Sequence, residues 1–324
     1  MDKLGIYIPT YNRKRDLELC MRSFIPQLKR YGFPIYVSDN NSTDGTEKVV
    51  NKLKRSYSKI FYKKNDTGLG PTYASNLVSV INMGKTEFAW LFGDDDVIKA
   101  GAIDRIVTNL PGHDYLQINT EIWNRDFSKK FQGRKIQAKR NIDYAPGDHD
   151  DVLANASYGY AGFMGEIITR TSYLKNGLKK LKGPDLAARE FLHTTLFFNS
   201  IIGREGRLIA EPLVKYRTTL RFGGKEMYTW LVSFPKTLEE LGNSYSEETL
   251  RSVGSLPVYS LIGITAINRL QNPGNARAYM KYVREDRMLD SSTKAILLTI
   301  LTVPKPIVRA VIYPTVKINA FEIL

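Results

Sequence analysis

The sequence contains very little cysteine and histidine. Among 324 residues there are one cysteine, Cys20, and three histidines. A single cysteine excludes an intrachain disulfide and a zinc finger, and it fits a reducing compartment. A long apolar run is also missing near the start, because Leu4 to Pro9 is too short for the hydrophobic region of a signal peptide. We therefore expect a cytoplasmic protein.

The composition is that of a globular protein with an excess of positive charge. Hydrophobic residues make up 43% and charged residues 25%, which argues against disorder, collagen-like repeats and a polytopic membrane protein. The length predicts one large domain with an appendage. The formal net charge of +14 indicates an anionic partner, which could be nucleic acid, nucleotide phosphates or an acidic lipid surface.

Short apolar runs alternate with helix-like segments over the first hundred residues. This rhythm predicts a parallel sheet with crossover helices. Thr43 or Asp44 is expected to cap the second helix. The predicted strands are Leu4 to Ile8, Ile35 to Val37, Ile60 to Tyr62 and Phe88 to Phe92, and the predicted helices are Lys14 to Tyr31, the segment ending at Leu53, and Thr72 to Met83.

Polar loops follow three of these strands, at 38–45, 65–71 and 93–96. Ligands of open α/β sheets bind beyond the carboxyl ends of the strands, so we place the site there. Asp94, Asp95 and Asp96 repel one another unless a cation is present, and their hard oxygens favour Mg²⁺ or Mn²⁺. A solvated turn is the alternative interpretation of this triplet.

The middle of the chain is less regular, and the end is apolar and basic. Lys294, Lys305, Arg309 and Lys317 lie among apolar residues of the tail, whose runs are too short to span a bilayer. The tail therefore predicts a segment in the membrane interface, and a helix docked on the core is the alternative. For the remainder we predict an exposed hairpin or loop at 125–140, a strand at 162–169, a helix at 187–202, an extended segment at 207–216 and mostly helix at 228–288.

Four ordered motifs together resemble those of family 2 glycosyltransferases, over about residues 4–110. They are Ile6-Tyr7-Ile8-Pro9-Thr10-Tyr11-Asn12-Arg13, Val37-Ser38-Asp39-Asn40-Asn41-Ser42-Thr43-Asp44-Gly45-Thr46, Asn65-Asp66-Thr67-Gly68-Leu69-Gly70-Pro71 and Trp90-Leu91-Phe92-Gly93-Asp94-Asp95-Asp96. The Gly-Asp-Asp-Asp ending is similar to the abequosyltransferase-like group of O-antigen enzymes. The later stretch 193–217 also resembles that group, with lower specificity.

The resemblance implies an α/β GT-A fold, a Rossmann-like mixed or parallel sheet flanked by helices, with a C-terminal helical extension. We expect a glycosyltransferase domain at 1–222, with a nucleotide-sugar half at about 1–110 and an acceptor half at about 111–222. A helical region at 223–324 would follow, with its amphipathic tail at about 291–324.

The resemblance also implies a set of residues that bind the nucleotide-diphosphate sugar. Tyr11 would stack on base or ribose, Asp39 would read the base edge, and Gly68 would let a loop close over the nucleotide. Local alternatives are a strand-to-helix turn around Tyr11, an Asx-turn at Asp39 and an ordinary turn at Gly68. The predicted set is Pro9, Thr10, Tyr11, Asn12, Arg13, Asp39, Asn41, Asn65, Gly68, Asp94 and Asp95.

Metal and catalytic residues follow from the same resemblance. Asp96, with Asp94, is the predicted site for Mn²⁺ or Mg²⁺, and His193 is a further metal or catalytic candidate or else a packing residue. The family's usual Glu-Asp pair is absent, so Glu190 is the first and Asp185 the second candidate for the base. Glu166 would face the acceptor cleft or lie outward on its strand.

These expectations describe a metal-dependent enzyme that transfers a sugar to a saccharide acceptor linked to a polyprenyl diphosphate, in surface polysaccharide synthesis. It would lie on the cytoplasmic face of the membrane and contact anionic lipid through its tail. A nucleotidyltransferase acting on a sugar phosphate is the alternative, although no Gly-rich basic loop follows the first strand. Nucleic acid is not an expected partner, because the positive charge is scattered without a recognition motif.

Overall fold

The computed structural model describes residues 2–66, 72–156, 163–181, 191–217, 233–254, 258–271, 276–285 and 289–312. The first half alternates strands and helices as the sequence predicts. Strand β1 consists of buried residues along its whole length, as expected for a strand covered on both faces. The elements are β1 (Leu4–Thr10), α1 (Lys14–Leu28), β2 (Ile35–Asp39), α2 (Thr46–Lys54), β3 (Ile60–Lys64), α3 (Tyr73–Met83) and β4 (Phe88–Leu91).

The second part adds strands of both directions to this sheet. Its elements are β5 (Val97–Ile98), α4 (Ala102–Asn109), β6 (Tyr115–Trp123), β7 (Lys130–Gln132), β8 (Ile142–Tyr144), α5 (His149–Ala156), β9 (Ile167–Arg170), α6 (Thr171–Lys180), α7 (Leu192–Ile201) and β10 (Gly206–Arg217). The strand order is β3-β2-β1-β4-β9-β6-β10-β5, with β7 on β6 and β8 on β10. Strands β3, β2, β1 and β4 are parallel, whereas β9 is antiparallel to both β4 and β6. The predicted mixed α/β sheet is confirmed.

Two hydrophobic clusters cover the two faces of the sheet. One contains apolar residues of α1, α2 and α4 packed on the strands, and the rings of Phe24 of α1, Trp90 of β4 and the following Phe92 meet edge to face in it. The other contains residues of α3, α5, α6 and α7. The sheet is thus a central layer between helices, which leaves its strand ends as the accessible edge.

Helices dominate the described C-terminal part. They are α8 (Phe234–Glu240), α9 (Glu247–Gly254), α10 (Val258–Gln271), α11 (Ala276–Glu285), α12 (Ser291–Thr302) and α13 (Lys305–Ile307), followed by a π-helical turn (Val308–Ile312). Residues of α8 and α9 join the second hydrophobic cluster of the sheet. The predicted domain boundary at 222 lies outside the described residues and stays a prediction.

The tail helix α12 has one packed face and one exposed face. Leu297 and Leu301 form a separate cluster with Leu261, Tyr279 and Val283 of α10 and α11. This face docks as the alternative interpretation expects. The tail also exposes apolar side chains, with Ile296 40% and Ile307 50% accessible. Among the described residues, no helix is long and apolar enough to cross a bilayer.

Several predicted boundaries differ from the structure. The strand expected at 162–169 begins only at Ile167, because a turn at 164–165 precedes it. The helix expected at 187–202 is observed as α7, and its predicted start lies outside the described residues. Helix α2 begins after Gly45, which has a positive φ of 94° and occupies the N-cap position instead of Thr43 or Asp44. The Asp44 side chain nevertheless accepts from the N–H of Thr46, the first residue of α2, over 3.0 Å. The segment 125–140 contains the predicted hairpin, but Lys135 and Ile136 are buried.

Candidate active site

The carboxyl ends of β1, β2 and β4 meet at one edge of the sheet. Thr10 pairs with Asp39 in the parallel register of β1 and β2, and Tyr7 pairs with Leu91 of β4. The hydroxyl of Thr10 donates to Oδ2 of Asp94 over 2.7 Å. The structure therefore brings together the strand ends on which the sequence places the site.

The acidic loop after β4 is held by two arginines. Nη1 of Arg13 lies 3.1 Å from Oδ1 of Asp94 and 2.6 Å from Oδ2 of Asp95. The backbone N–H of Arg217, at the end of β10, donates to Oδ1 of Asp96 over 2.8 Å. Asp94 and Asp96 are buried, so the triplet is not the solvated turn of the alternative interpretation.

Burial and mutual repulsion disfavour the ionised form of these carboxyl groups. Burial, together with the charge of Asp95, raises the pKa of Asp94 to about 7. The same causes raise the pKa of Asp96 well above its ordinary value. Burial also raises the pKa of the neighbouring Cys20 thiol, and the three carboxylates add to that effect. This loop has an excess of negative charge that a bound cation would relieve.

Two carboxylate oxygens of the loop are free to bind such a cation. Oδ1 of Asp95 and Oδ2 of Asp96 accept no hydrogen bond from the described residues. Both point at the space above Gly93, where an added Cβ would lie 3.2 Å and 3.0 Å from them. Glycine at this position keeps that space open.

These oxygens fit a magnesium or manganese ion that is completed by ligands from a substrate. The described residues contain no group of three or more histidine, cysteine or acidic side chains that could hold a metal ion alone. Mg²⁺ is usually bound by one or two carboxylates together with phosphate oxygens and water. Both oxygens of Asp94 are already engaged by Thr10 and Arg13, which favours Asp96 and Asp95 as the protein ligands.

Hydrogen bonds connect the loop after β1 to the loop after β2. The backbone N–H of Asn12 donates to Oγ of Ser42 over 2.8 Å, and its Oδ1 accepts from the N–H of Thr43 over 2.9 Å. Asn12 has a positive φ of 50°, which asparagine tolerates better than most residues. Pro9 is buried in β1, whereas Tyr11 is 50% exposed and is free to contact a ligand.

Asp39 and Asn41 shape the loop after β2. Oδ1 of Asp39 accepts from the N–H of Ser42 over 2.8 Å, and Oδ2 accepts from the Tyr62 hydroxyl over 2.6 Å. Asp39 is fully buried, so its side chain organises this loop, much as the Asx-turn alternative describes. Asn41 has a positive φ of 65° and donates its N–H to the carbonyl of Asp39. Contact of Asp39 with a base stays a prediction.

Asn65 lies inside the fold. Its Nδ2 donates to Oγ of Ser38 and to Oδ1 of Asn76, and its Oδ1 accepts from the Ser79 hydroxyl. Asn65 is 2% exposed and fixes the end of β3 against α3. Gly68, predicted beside it, lies outside the described residues.

His193 lies in the first turn of α7 and is buried. Its Nδ1 lies 2.7 Å from the Tyr73 hydroxyl, which also donates to Sδ of Met164 over 3.3 Å. Burial raises the pKa of Tyr73, so this hydroxyl stays protonated. Its burial and its contact with Tyr73 fit the packing alternative, and a metal or catalytic role for His193 stays a prediction. Glu190 and Asp185 lie outside the described residues.

Glu166 lies at neither of its two expected positions. It is 3% exposed and forms an ion pair with Lys135 of the hairpin, so it neither faces an open cleft nor points outward. Lys135 is 5.0 Å from the centroid of the Phe163 ring, which stacks on Tyr216. Burial lowers the pKa of Lys135 well below its ordinary value.

Sequence reasoning missed Arg217, Lys135 and Tyr73 as residues of this region. Arg217 ends a largely buried strand, and an arginine in that position could have been identified as a candidate site residue. Lys135 belongs to a basic stretch whose other lysines are exposed, so no local pattern distinguishes it. Tyr73 could have been noted only as an aromatic residue in the first turn of α3.

Comparison with known proteins identifies the family. Residues 5–167 match glycosyl transferase family 2, and the chain belongs to that family. Abequosyltransferase RfbV of Salmonella typhimurium is 35% identical over 109 residues, which cover 33% of this chain and 32% of that protein.

A second relative matches a longer segment. The GalNAc(5)-diNAcBac-PP-undecaprenol beta-1,3-glucosyltransferase of Campylobacter jejuni is 28% identical over 181 residues, 54% of each chain. The matches thus span about a third and about half of these relatives' own lengths.

Solved structures confirm the GT-A type of fold. S. aureus TarS 1-349 in complex with UDP has a TM-score of 0.60 at 14% identity, covering 99% of this chain and 91% of that chain. Mannosyltransferase PcManGT from Pyrobaculum calidifontis, in complex with GDP-Man and Mn²⁺, has a TM-score of 0.50 at 17% identity, covering 98% and 86%. At these identities the likeness concerns the fold alone.

Proposed function

We propose that the chain is a metal-dependent glycosyltransferase that moves a sugar from a nucleotide-diphosphate sugar to a saccharide acceptor. The observation that carries the proposal is the acidic loop 94–96 at the carboxyl end of β4, where Oδ1 of Asp95 and Oδ2 of Asp96 both border the space beside Gly93. Membership of glycosyl transferase family 2 supports sugar transfer. The resemblance to the abequosyltransferase supports a role in O-antigen or another surface polysaccharide.

The residues of the acidic loop would hold Mn²⁺ or Mg²⁺ through Asp96 and Asp95. When bound, the ion would neutralise the diphosphate as it leaves the sugar. The mannosyltransferase of similar fold holds GDP-Man and Mn²⁺, and TarS binds UDP, which supports this ligand pair. Arg13 is half exposed beside Asp94 and Asp95 and would add a positive charge next to the diphosphate.

Other residues would bind the nucleoside and activate the acceptor. Tyr11 would pack on the base or ribose, since its ring is half exposed beside the strand ends. A carboxylate must take the proton of the acceptor hydroxyl as it attacks, and we propose Glu190 first and Asp185 second for this role. His193 would position the start of α7 through Tyr73.

We propose a lipid-linked saccharide as the acceptor and the cytoplasmic membrane face as the place of reaction. The name of the Campylobacter relative describes a substrate linked to undecaprenol through a diphosphate. In this chain, the tail exposes Ile296 and Ile307, which lie within two residues of Lys294, Lys305 and Arg309 in the sequence. Apolar side chains next to basic ones suit the interface of an anionic bilayer.

Turnover of a sugar-nucleotide panel tests the reaction class. The purified chain is incubated with UDP-, GDP-, CDP- and dTDP-sugars in Mn²⁺, Mg²⁺ or EDTA, and the released nucleoside diphosphate is measured. We expect slow hydrolysis of donors carrying one base, dependent on the metal. If no sugar nucleotide is bound or hydrolysed while nucleoside triphosphates are consumed, the nucleotidyltransferase alternative replaces this proposal.

Vesicle flotation tests the role of the tail. Replacing Ile296 and Ile307 by serine removes exposed apolar surface and leaves the packed face of α12 intact. We expect the full chain to float with phosphatidylglycerol-containing vesicles and the double variant to float several-fold less. Phe61→Ser removes a similarly exposed ring outside the tail and is the control. Equal recovery of all three proteins would contradict membrane binding through the tail.

A further inference from the structure

Arg217 is a buried cation beside the acidic loop. It is 5% exposed, and its backbone N–H is already bound to Asp96. The guanidinium is close enough to Asp96 to oppose the rise of that carboxyl's pKa. A fixed positive charge therefore lies at the edge of the candidate metal site.

The guanidinium is held in place from two sides. Its Nη1 forms an ion pair with Asp16 of α1, and its Cζ lies 4.7 Å from the centroid of the Phe127 ring. An ion pair and a cation–π contact together fix the plane of the group. A lysine could keep the charge here but not this planar arrangement.

One donor of this fixed group is unused. Nε of Arg217 is buried and has no hydrogen-bond acceptor among the described residues. A buried charged donor without an acceptor is unfavourable, and arginine binds phosphate oxygens through more than one N–H. The unused donor points to an anionic ligand at this place.

Phe127 reaches Arg217 from the turn between β6 and β7, in a backbone conformation that disfavours it. Its φ is 59°, a left-handed value that costs a bulky residue free energy. Asn124 and Asp126 hold this turn through hydrogen bonds to Ser128 and Lys129. The turn is thus built to place an aromatic ring on the guanidinium.

We propose that Arg217 binds the diphosphate of the nucleotide-sugar donor, and that Phe127 seats its guanidinium for this contact. The inference rests on the proposed function, since it assumes a nucleotide diphosphate at the acidic loop. It adds a protein contact to the diphosphate that is independent of the metal. The backbone bond to Asp96 does not depend on the side chain, so substitution of Arg217 leaves that metal ligand held.

Nucleotide affinity separates this role from a structural one. Calorimetry with Mn²⁺ measures the affinity of the full chain for UDP, GDP, CDP and dTDP and for the matching monophosphates. We expect Arg217→Lys to weaken diphosphate binding about tenfold and to leave monophosphate binding within about twofold. Mn²⁺ affinity without nucleotide should not change. Arg105→Lys, an exposed arginine paired with Glu211, is the matched control.

Phe127→Gly provides the second variant. Glycine accepts the positive φ, so we expect an unchanged or higher melting temperature together with severalfold weaker diphosphate binding. An equal loss of affinity for the diphosphate and the monophosphate would overturn the proposal, because Arg217 would then act through the fold. A parallel loss of Mn²⁺ affinity would also overturn it, because Arg217 would then act through Asp96. Unchanged diphosphate binding would overturn it as well. If the unmodified chain binds none of the four diphosphates, the proposed function itself fails.

Discussion

Asp96→Asn is expected to lower sugar transfer by about 10³-fold or more while the protein stays folded. The change removes one ligand charge, and a loss of this size corresponds to about 4 kcal/mol of transition-state stabilisation, within the several kcal/mol that a metal ion supplies. Asparagine has nearly the same shape and keeps an oxygen for the N–H of Arg217. The measurement is the rate of nucleoside diphosphate release with saturating donor and Mn²⁺.

The same variant should be at least as stable as the original protein. Asp96 is buried next to two other carboxylates, so its charge is unfavourable in the metal-free fold. We expect an unchanged or higher melting temperature without metal and a smaller rise on addition of Mn²⁺. Asp104→Asn, an exposed carboxylate on α4, is the control. Full activity of Asp96→Asn, with normal stabilisation by Mn²⁺, would show that the metal lies elsewhere.

Breaking the Lys135–Glu166 pair is expected to have the largest effect on stability. The two side chains are 1% and 4% exposed, so removing one partner leaves the other buried without its counter-charge. Such changes cost about 3–5 kcal/mol, which should appear as a lower urea midpoint for Lys135→Met and for Glu166→Gln.

The double variant separates the energy of the Lys135–Glu166 interaction from the contribution of each side chain alone. The double variant Lys135→Met with Glu166→Gln leaves neither charge buried, so its free energy of unfolding should be closer to that of the original protein than the single variants'. The double-mutant cycle should show a coupling energy of more than about 1 kcal/mol. Lys129→Met, on the exposed part of the same hairpin, is the control. Additive losses in the cycle would contradict direct pairing.

The sequence predicts the first half of the fold well because the signals there are local. Apolar runs closed by Pro, Gly and Asp residues give β1, β2 and β4 nearly at their observed bounds. The strand ends then place Thr10 and Asp94 together, as the parallel topology requires. The site's position follows from this pattern without any contact being known.

Other parts of the site depend on contacts between distant segments. Arg217 and Asp96 are 121 positions apart, and Lys135 and Glu166 lie on opposite sides of α5 in the sequence. The sequence shows Asp39 as a free polar residue, whereas the folded chain engages both of its oxygens with Ser42 and Tyr62. Burial and pairing of this kind have no local periodicity, so inspection of the sequence cannot supply them.

The positive net charge of the chain is unevenly distributed over the fold. The candidate site is locally acidic, and basic residues near it are already paired, such as Lys99 with Glu121 and Arg13 with Asp94 and Asp95. Exposed basic residues remain along the hairpin and the tail. The net positive charge would therefore suit the proposed anionic membrane and acceptor, while the acidic loop would take the proposed cation.

Transfer of a labelled sugar to a lipid-linked acceptor tests whether the chain is a metal-dependent glycosyltransferase. The chain is incubated with the donor selected from the panel, labelled in its sugar, and with the lipid-linked saccharides extracted from membranes. We expect label in the lipid fraction with Mn²⁺ or Mg²⁺, and none with EDTA or with Asp96→Asn. Label that stays in the water-soluble fraction under all of these conditions, or that reaches the lipid equally well with Asp96→Asn, would contradict it.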